Sequence, residues 1–384
     1  MNETGIPCLN QSTLEGLADR VTVPLYDRST LSPGIVHIGV GGFHRAHQAM
    51  YLDRLMSEGK AQDWAIRGVG MLEKDRRMKE VMVAQEGLYT LVLKHPDGRR
   101  EARVIGSILD YLLTPDDPDA VVEAMAAPEI RIVSLTITEG GYNIDRVTGK
   151  FDLTKPGLAA DLAGAAPPTT TFGVVVEALR RRRERGVPPF TVQSCDNIPA
   201  NGDVTRDVFA DFASAKDDEL GKWIRTKVSF PNSMVDRITP VTSDHDREEL
   251  VQQLGFRDAW PVMCEPFEQW VVQESFALGR PAWEKVGAQM VDDVEPYELM
   301  KIRLLNASHQ AMCYFGYLMG YRYAHEAAAD KLIARFLFGY MKWEATPSLP
   351  EVPDVDLDAY CKQLIERFAN PEVRDTLARL CADS

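Results

Sequence analysis

Three observations predict an α/β domain with an expanded parallel sheet followed by a mostly α-helical domain. Strand and helix signals alternate from residue 35 onward, a glycine-rich turn joins the first strand to the first long helix, and an almost unbroken helical stretch begins at residue 297. Alternation of this kind builds a parallel sheet with crossover helices, whereas a run of helices builds a bundle. The boundary falls near residue 290, giving domains of 1–290 and 291–384. No long Gly/Ser linker separates them, so the two are expected to pack closely.

The elements follow in order. After the turn-like Ser32-Pro33-Gly34 comes Ile35-Val36-His37-Ile38, a short β-rich run, which leads through Gly39-Val40-Gly41-Gly42 into a helical segment over 44–56. A second apolar run covers 64–71, then a charged loop at 73–77 and an alternating stretch at 89–93. Residues 104–112 read as a further strand region, 121–129 as a helix, and 130–136 as a β-branched strand of the buried parallel kind. A helix with a strongly basic exit spans 170–186, and a strand follows at 190–194. Beyond residue 297 the pattern is helical to about 345. Pro347, Pro350 and Pro353 then punctuate a loop, and 357–370 and 371–380 supply two more helices.

Bulk properties exclude several classes. A chain of 384 residues is long enough for two ordinary domains, and its 45% hydrophobic content is that of a globular protein. A formal charge of -14 argues against a nucleic-acid partner or an anionic membrane. The six cysteines (Cys8, Cys195, Cys264, Cys313, Cys361, Cys381) form no CxxC pair, which suggests a reducing compartment. Residues 1–20 carry acids and no apolar core, and no apolar run reaches membrane-spanning length. A soluble cytoplasmic protein is expected.

A strand that feeds GxG and then a helix is a phosphate-binding turn, and it makes the first domain Rossmann-type. Glycine lets the backbone approach a pyrophosphate while the helix start supplies amide donors. The candidate cofactor residues here are Gly39, Gly41, Gly42 and Phe43, with His44 where the usual fingerprint has a third glycine. After the second strand, Glu73 or Asp75 can accept hydrogen bonds from both ribose hydroxyls and favour NAD. Lys74, Arg76 and Arg77 can instead offset a 2′-phosphate and favour NADP. The preference stays open, leaning to NAD. His44 and His47 lie three apart, but no Cys, Asp or Glu nearby completes a metal shell, so no metal is expected.

The stretch KIRLLNASHQ, 301–310, places a lysine, an asparagine and a histidine in an otherwise apolar helical segment. At about 100° per residue, Lys301, His309 and Asn306 fall near 0°, ~80° and ~140°, on one wide face, with ~12 Å of axial rise from Lys301 to His309. A lysine made neutral by burial can take the proton of an alcohol as it is oxidised. Asn306 can donate to a developing alkoxide, and His309 can bond the same oxygen or a neighbouring hydroxyl. Surface lysines and structural Asn–His pairs are common, so spacing alone leaves the catalytic and structural readings both open.

The segment resembles the catalytic signature of the long-chain polyol dehydrogenases, the mannitol dehydrogenase family. IVHIGVGGFHRAHQ resembles that family's cofactor turn, and SLTITEGGYNID, SCDNIPANG, VSFPNSMVDRITP and CEPFEQWVV are similar to its characteristic blocks, in the expected order. The resemblance implies metal-independent, NAD(P)-linked interconversion of a polyol and its 2-ketose, D-mannitol and D-fructose above all, by a monomer acting on a small molecule. It implies Lys301 as general base and acid, Asn306 and Asn197 as oxyanion donors, and His309 as the group orienting the reacting oxygen. Glu139 would move the lysine's proton toward water, and Asp236 and Arg379 would hold sugar hydroxyls. No dense Arg/Lys cluster suggests a phosphorylated substrate; D-arabinitol or uronate relatives share the same base. The resembled enzymes run on by roughly a hundred residues, a domain's worth of chain. The helical domain is therefore expected to be incomplete, with apolar surface exposed around 312–321, and either active or reduced to a cofactor-binding form with little turnover.

Overall fold

The computed structural model describes residues 5–145 and 148–382. Among them, eleven strands fall into three sheets. The central sheet is wholly parallel and orders its strands β5 (Ile108–Leu113), β2 (Ala65–Gly70), β1 (Pro33–Ile38), β6 (Ile132–Leu135) and β7 (Thr191–Ser194). Two three-stranded sheets flank it. One orders β4 (Arg100–Ile105), β3 (Tyr89–Lys94) and β9 (Val262–Cys264). The other orders β11 (Gln289–Val291), β10 (Gln269–Gln273) and β8 (Ser233–Asp236).

The side-chain period of two explains why the central strands are apolar throughout. Along β1, Ile35 joins a core with the helix Gln48–Ser57, while Val36 and Ile38 join the opposite core with the helices Pro118–Ala126 and Thr171–Glu184. A sheet covered on both faces has no solvent face to alternate against. The chain adds β2 and β5 on one side of β1, then reverses to add β6 and β7 on the other. That reversal opens a crevice at the carboxyl ends of β1 and β6.

Three expected elements are corrected. The single strand at 104–112 is two, because Gly106 and Ser107 break it: the Gly106 amide donates to Asp53 and the Ser107 hydroxyl to the Ala49 carbonyl. The first half then pairs with β3 and the second becomes the edge of the parallel sheet. The helix over 44–56 is interrupted at His47, whose backbone (φ -129°, ψ -97°) belongs to neither flanking helix. The helix at 371–380 exists only as Leu377–Ala382, because Thr376 bridges to Tyr323 and Asp375 accepts from the Ala324 amide.

From Glu295 on, the chain is helical around a core of Met300, Leu304, Met312, Leu337, Leu364 and Leu377. That core takes in Met234 of β8 and Val271 of β10, so the helices pack directly on the flanking sheet. The helix Ala307–Leu318 buries Met312, Cys313 and Gly316 and turns Tyr314, Phe315, Tyr317 and Leu318 outward. No helix among the described residues is long and apolar enough to cross a membrane.

Ile38 is fully buried at the end of β1, where the sheet meets the crevice. Ile38→Ala is expected to cost about 2–5 kcal/mol, read as a lowered midpoint of the first urea transition with the helical domain's transition less affected.

Candidate active site

The crevice opens into a cleft of about 730 Å³ between the carboxyl ends of β1, β6, β7 and β8 and the start of the helical domain. Gly39, Gly41, Gly42, Phe43, Glu139, Asn197, Asp236, Lys301, Asn306, His309 and Arg379 all line it. Residues expected from separate stretches of sequence therefore share one cavity. Glu73 and Asp75 do not line it.

At the β1 end the turn is dictated by space. Gly39 has φ +94°, and a Cβ there would lie 2.1 Å from the Thr136 carbonyl oxygen, so no other residue fits. The case differs at Gly41. A Cβ there would meet only the Gly39 carbonyl, at 3.9 Å, and one at Gly42 only the Thr239 methyl, at 3.6 Å. Protein packing does not require those two glycines, so their bareness leaves room for a group lying against the turn. Phe43 stacks on His47 at 4.9 Å between ring centroids. His47 spends its ring nitrogens on the Gln269 carbonyl and the Gln48 amide, and His44 lies stacked against His37 in the core.

Past β2, Asp75 accepts from the Met71 and Leu72 amides with one oxygen, and Glu73 pairs with Arg76, which also reaches Asp116. Asp75 thus shapes the loop after the strand. Arg76, considered for a 2′-phosphate, is neutralised by two acids.

Lys301 begins a π-helix, Lys301–Asn306, which changes the helical-wheel expectation. On an α-helix Lys301 and Asn306 would stand about 140° apart. In an i→i+5 pattern, seen in the Ala307 amide donating to the Ile302 carbonyl, the wider turn narrows that angle. The π-turn brings the lysine and the asparagine to the same wall. Lys301 Nζ is buried and donates to Asn197 Oδ1 at 2.7 Å and to the Val235 carbonyl at 2.6 Å. Burial lowers its pKa from the ordinary 10.5, with Asp236 opposing and Arg367 assisting.

Asp236, buried, meets the Arg367 guanidinium with both oxygens, at 2.8 and 2.9 Å. Burial by itself would raise this carboxyl, but Arg367 holds it below the ordinary carboxylate value. His309 stacks on Phe368 at 4.2 Å, and burial pushes its imidazole down to about 4, so it is neutral at pH 7. Arg379 is exposed at the rim and paired with Asp375. Glu139 is exposed at the cleft mouth.

Sequence reading missed three groups. Glu298, three residues before Lys301, accepts from the Ala200 amide at 3.1 Å and keeps its other oxygen buried without a hydrogen-bond partner among the described residues. Burial raises its pKa. The E-x-x-K spacing was the available signal. Asp196 accepts from the Ile137 and Thr138 amides and from the Tyr142 hydroxyl, fixing the loop that carries Glu139; burial pushes it up to about 6. Arg367 gave no signal, because its partners lie more than a hundred residues away.

The depressed pKa of Asp236 gives a pH test. A carboxylate held low in the folded state stabilises the fold fully above its unfolded pKa, and the contribution is lost as pH falls through the folded value. At pH 7, Asp236→Asn is expected to cost about 3 kcal/mol. The gap to wild type should close progressively below about pH 4, as followed by urea unfolding across a pH series.

Comparison with known proteins completes the description. The pattern of the mannitol dehydrogenase Rossmann domain matches residues 33–285, and that of the mannitol dehydrogenase C-terminal domain matches 293–384. The expectation of a truncated helical domain is set aside on this second match, which covers residues 293–384. A mannitol 2-dehydrogenase of Phaeosphaeria nodorum is 47% identical over 376 residues, 97% of this chain and 66% of the relative. One from Cereibacter sphaeroides is 50% identical over 363 residues, 94% of this chain and 76% of the relative. The chain thus spans two thirds to three quarters of the length of these relatives. Among solved structures, the Pseudomonas fluorescens mannitol 2-dehydrogenase ternary complex with NAD and D-mannitol superposes with a TM-score of 0.92 at 50% identity, covering 97% of this chain and 76% of that one. A substrate-free D-sorbitol dehydrogenase gives 0.92 at 44% identity, covering 97% and 77%. With both patterns matched in order across nearly the whole chain, this protein belongs to the mannitol dehydrogenase family.

Proposed function

We propose that the chain is an NAD-dependent polyol dehydrogenase that interconverts D-mannitol and D-fructose, with Lys301 as the proton-transferring group. The observation that carries this reading is a buried lysine in the same cleft as a glycine turn bare enough to admit a dinucleotide. The 50% identity to the Pseudomonas fluorescens enzyme, solved with NAD and D-mannitol, supports both the cofactor and the substrate.

Gly39, Gly41, Gly42 and Phe43 would hold the dinucleotide at the β1 end, with Asp75 shaping the loop near its ribose. NAD supplies the acceptor for the hydride that leaves the alcohol carbon. The chain's own residues do the rest. Lys301, its charged form disfavoured by burial, takes the hydroxyl proton in oxidation and returns it to the ketose oxygen in reduction. The Asn197 carbonyl is occupied by Lys301, which leaves its NH2 group to donate to the reacting oxygen. Asn306, which lines the same cleft as Lys301, serves as the second donor. His309, neutral, orients the same oxygen or its neighbour. Asp236 and Arg379 are read as contacts for the remaining hydroxyls. Glu298 is better suited than Glu139 to pass the lysine's proton outward, since it is half-buried, three residues from Lys301, with one oxygen uncommitted. Because a side chain acts as base and amides stabilise the oxyanion, the reaction as read here needs no metal.

Six scattered cysteines without a CxxC pair support a cytoplasmic enzyme, the charge of -14 supports the absence of a nucleic-acid partner, and the family resemblance supports a monomer.

The test is steady-state NADH oxidation in EDTA with a panel of D-fructose, other ketoses and uronates, matched by NAD reduction with D-mannitol, D-sorbitol and D-arabinitol. Robust turnover confined to D-mannitol and D-fructose is the expected result; a different preferred pair would reassign the substrate, and silence with NADH still bound would sink the reading. Lys301→Ala should lower kcat at least a thousandfold, on the order of a lost general base plus misplaced donors, with NADH affinity little changed. In the wild type, kcat/KM for oxidation should fall as pH drops below the lysine's pKa, which lies under 10.5, and kcat/KM for reduction should fall as pH rises above it. Gly41→Ala should leave the melting temperature unchanged and weaken NADH at least tenfold, since its Cβ meets nothing but the space read as the cofactor's.

A further inference from the structure

Arg367 sits on the helix Leu357–Phe368, far in sequence from both carboxylates that it meets. Its guanidinium makes two paired sets of hydrogen bonds. Toward Asp236 they are 2.8 and 2.9 Å; toward Glu265 they are 2.7 and 2.9 Å. The Phe267 ring covers its face at 3.8 Å. All three charged side chains are at least nine-tenths buried. Glu265 is itself fixed by the Ile238 amide, which donates to it at 2.6 Å. One cation between two buried carboxylates leaves one negative charge to be met by something else. Two other buried cations stand close by: Arg237 donates to the Glu265 carbonyl at 3.1 Å, and Lys301 donates to the carbonyl of Val235, the residue before Asp236.

We propose that Arg367 is a positioning residue: by clamping Asp236 against Glu265 it orients the carboxylate that faces the polyol and offsets that carboxylate's charge on Lys301. This rests on the reading of Lys301 as the proton-transferring group. A guanidinium suits the task because its planar fork satisfies two carboxylates at once, which an ammonium cannot do. Without it, the Asp236 carboxylate would act on the lysine unopposed and hold its proton more tightly. Charged groups that act on Lys301 are Asp236, Arg367, Glu298 and Glu139. Those that act on Arg367 are Asp236 and Glu265, with His309 and Tyr360 in the same field. The arrangement divides two properties between one side chain's features. Its charge acts on the lysine's proton, and its shape sets the direction of Asp236.

Three variants separate these roles: Arg367→Met, Arg367→Lys and Glu265→Gln. The readouts are the NMR titration of the Lys301 ε-carbon in lysine-labelled protein, assigned with Lys301→Met, and the pH profile and KM of D-mannitol oxidation. Arg367→Met should move the lysine titration and the acid limb of oxidation upward by about one pH unit, raise the D-mannitol KM about tenfold or more, and leave NADH affinity within about twofold. Arg367→Lys should restore the limb while the KM stays high, because charge is kept and the fork is lost. Glu265→Gln should move the limb downward. A lysine titration unmoved in both Arg367→Met and Glu265→Gln would overturn the proposal, as would equal losses of D-mannitol and NADH affinity. If Arg367→Met does not fold, the downward shift in Glu265→Gln decides alone. If the wild type turns over no polyol, the functional reading fails, and the NMR titration still decides whether Arg367 governs the proton of Lys301.

Discussion

One buried lysine ties the molecule together. Lys301 Nζ lies where the helical domain meets the sheet, and its two protein acceptors come from different stretches: Asn197 just past β7, and Val235 within β8. Burying an ammonium is costly unless it is paired and hydrogen-bonded. Here the acceptors, with Asp236 and Glu298 nearby, meet that cost only partly, and the proton is held less tightly than in water. The same compromise makes the group useful. A fully exposed lysine would keep its proton at neutral pH, and a fully paired one could not release it.

Around this point the sheet and the helices take complementary parts. The parallel sheet reverses direction at β1, opening a crevice that the glycine turn leaves bare of side chains. The helices close the other wall with a π-turn that brings Lys301 and Asn306 closer around the helix axis than a regular α-helix would, and both line the cleft. Both walls rest on packed cores: buried strands on one side, and a core continuous from β8 and β10 to the last helix on the other. Arg367 is the ionic counterpart of that continuity, carrying a charge from the helical domain onto the ends of β8 and β9.

Much of this was legible in the residues. The alternation of elements, the strand–glycine–helix turn at Gly39 and the stretch from Lys301 to His309 all carry local signatures, because turn geometry and helix periodicity act over a few residues. What escaped was whatever depends on partners distant in sequence. The break at Gly106 follows from Asp53, fifty-three residues earlier, and the loop holding Glu139 is fixed by Asp196, in another strand's exit. Glu139 stood out by its motif, yet it is exposed, while Glu298, three residues before the lysine, keeps one buried oxygen without a hydrogen-bond partner among the described residues. The wheel drawn for Lys301 and Asn306 assumed a regular helix, and periodicity cannot reveal a π-turn, because a single wider turn leaves the apolar pattern nearly unchanged.

By itself, then, the sequence determined the order of the elements, the division into a sheet domain and a helical one, and the residue types available for chemistry, since each of these is a local or compositional property. Only the tertiary structure decided which of those residues meet, which carboxylate is clamped and which is open, and how strongly Lys301 holds its proton. Those are properties of burial and of polar groups brought together from more than a hundred residues apart, and no short window of sequence contains both members of such a pair.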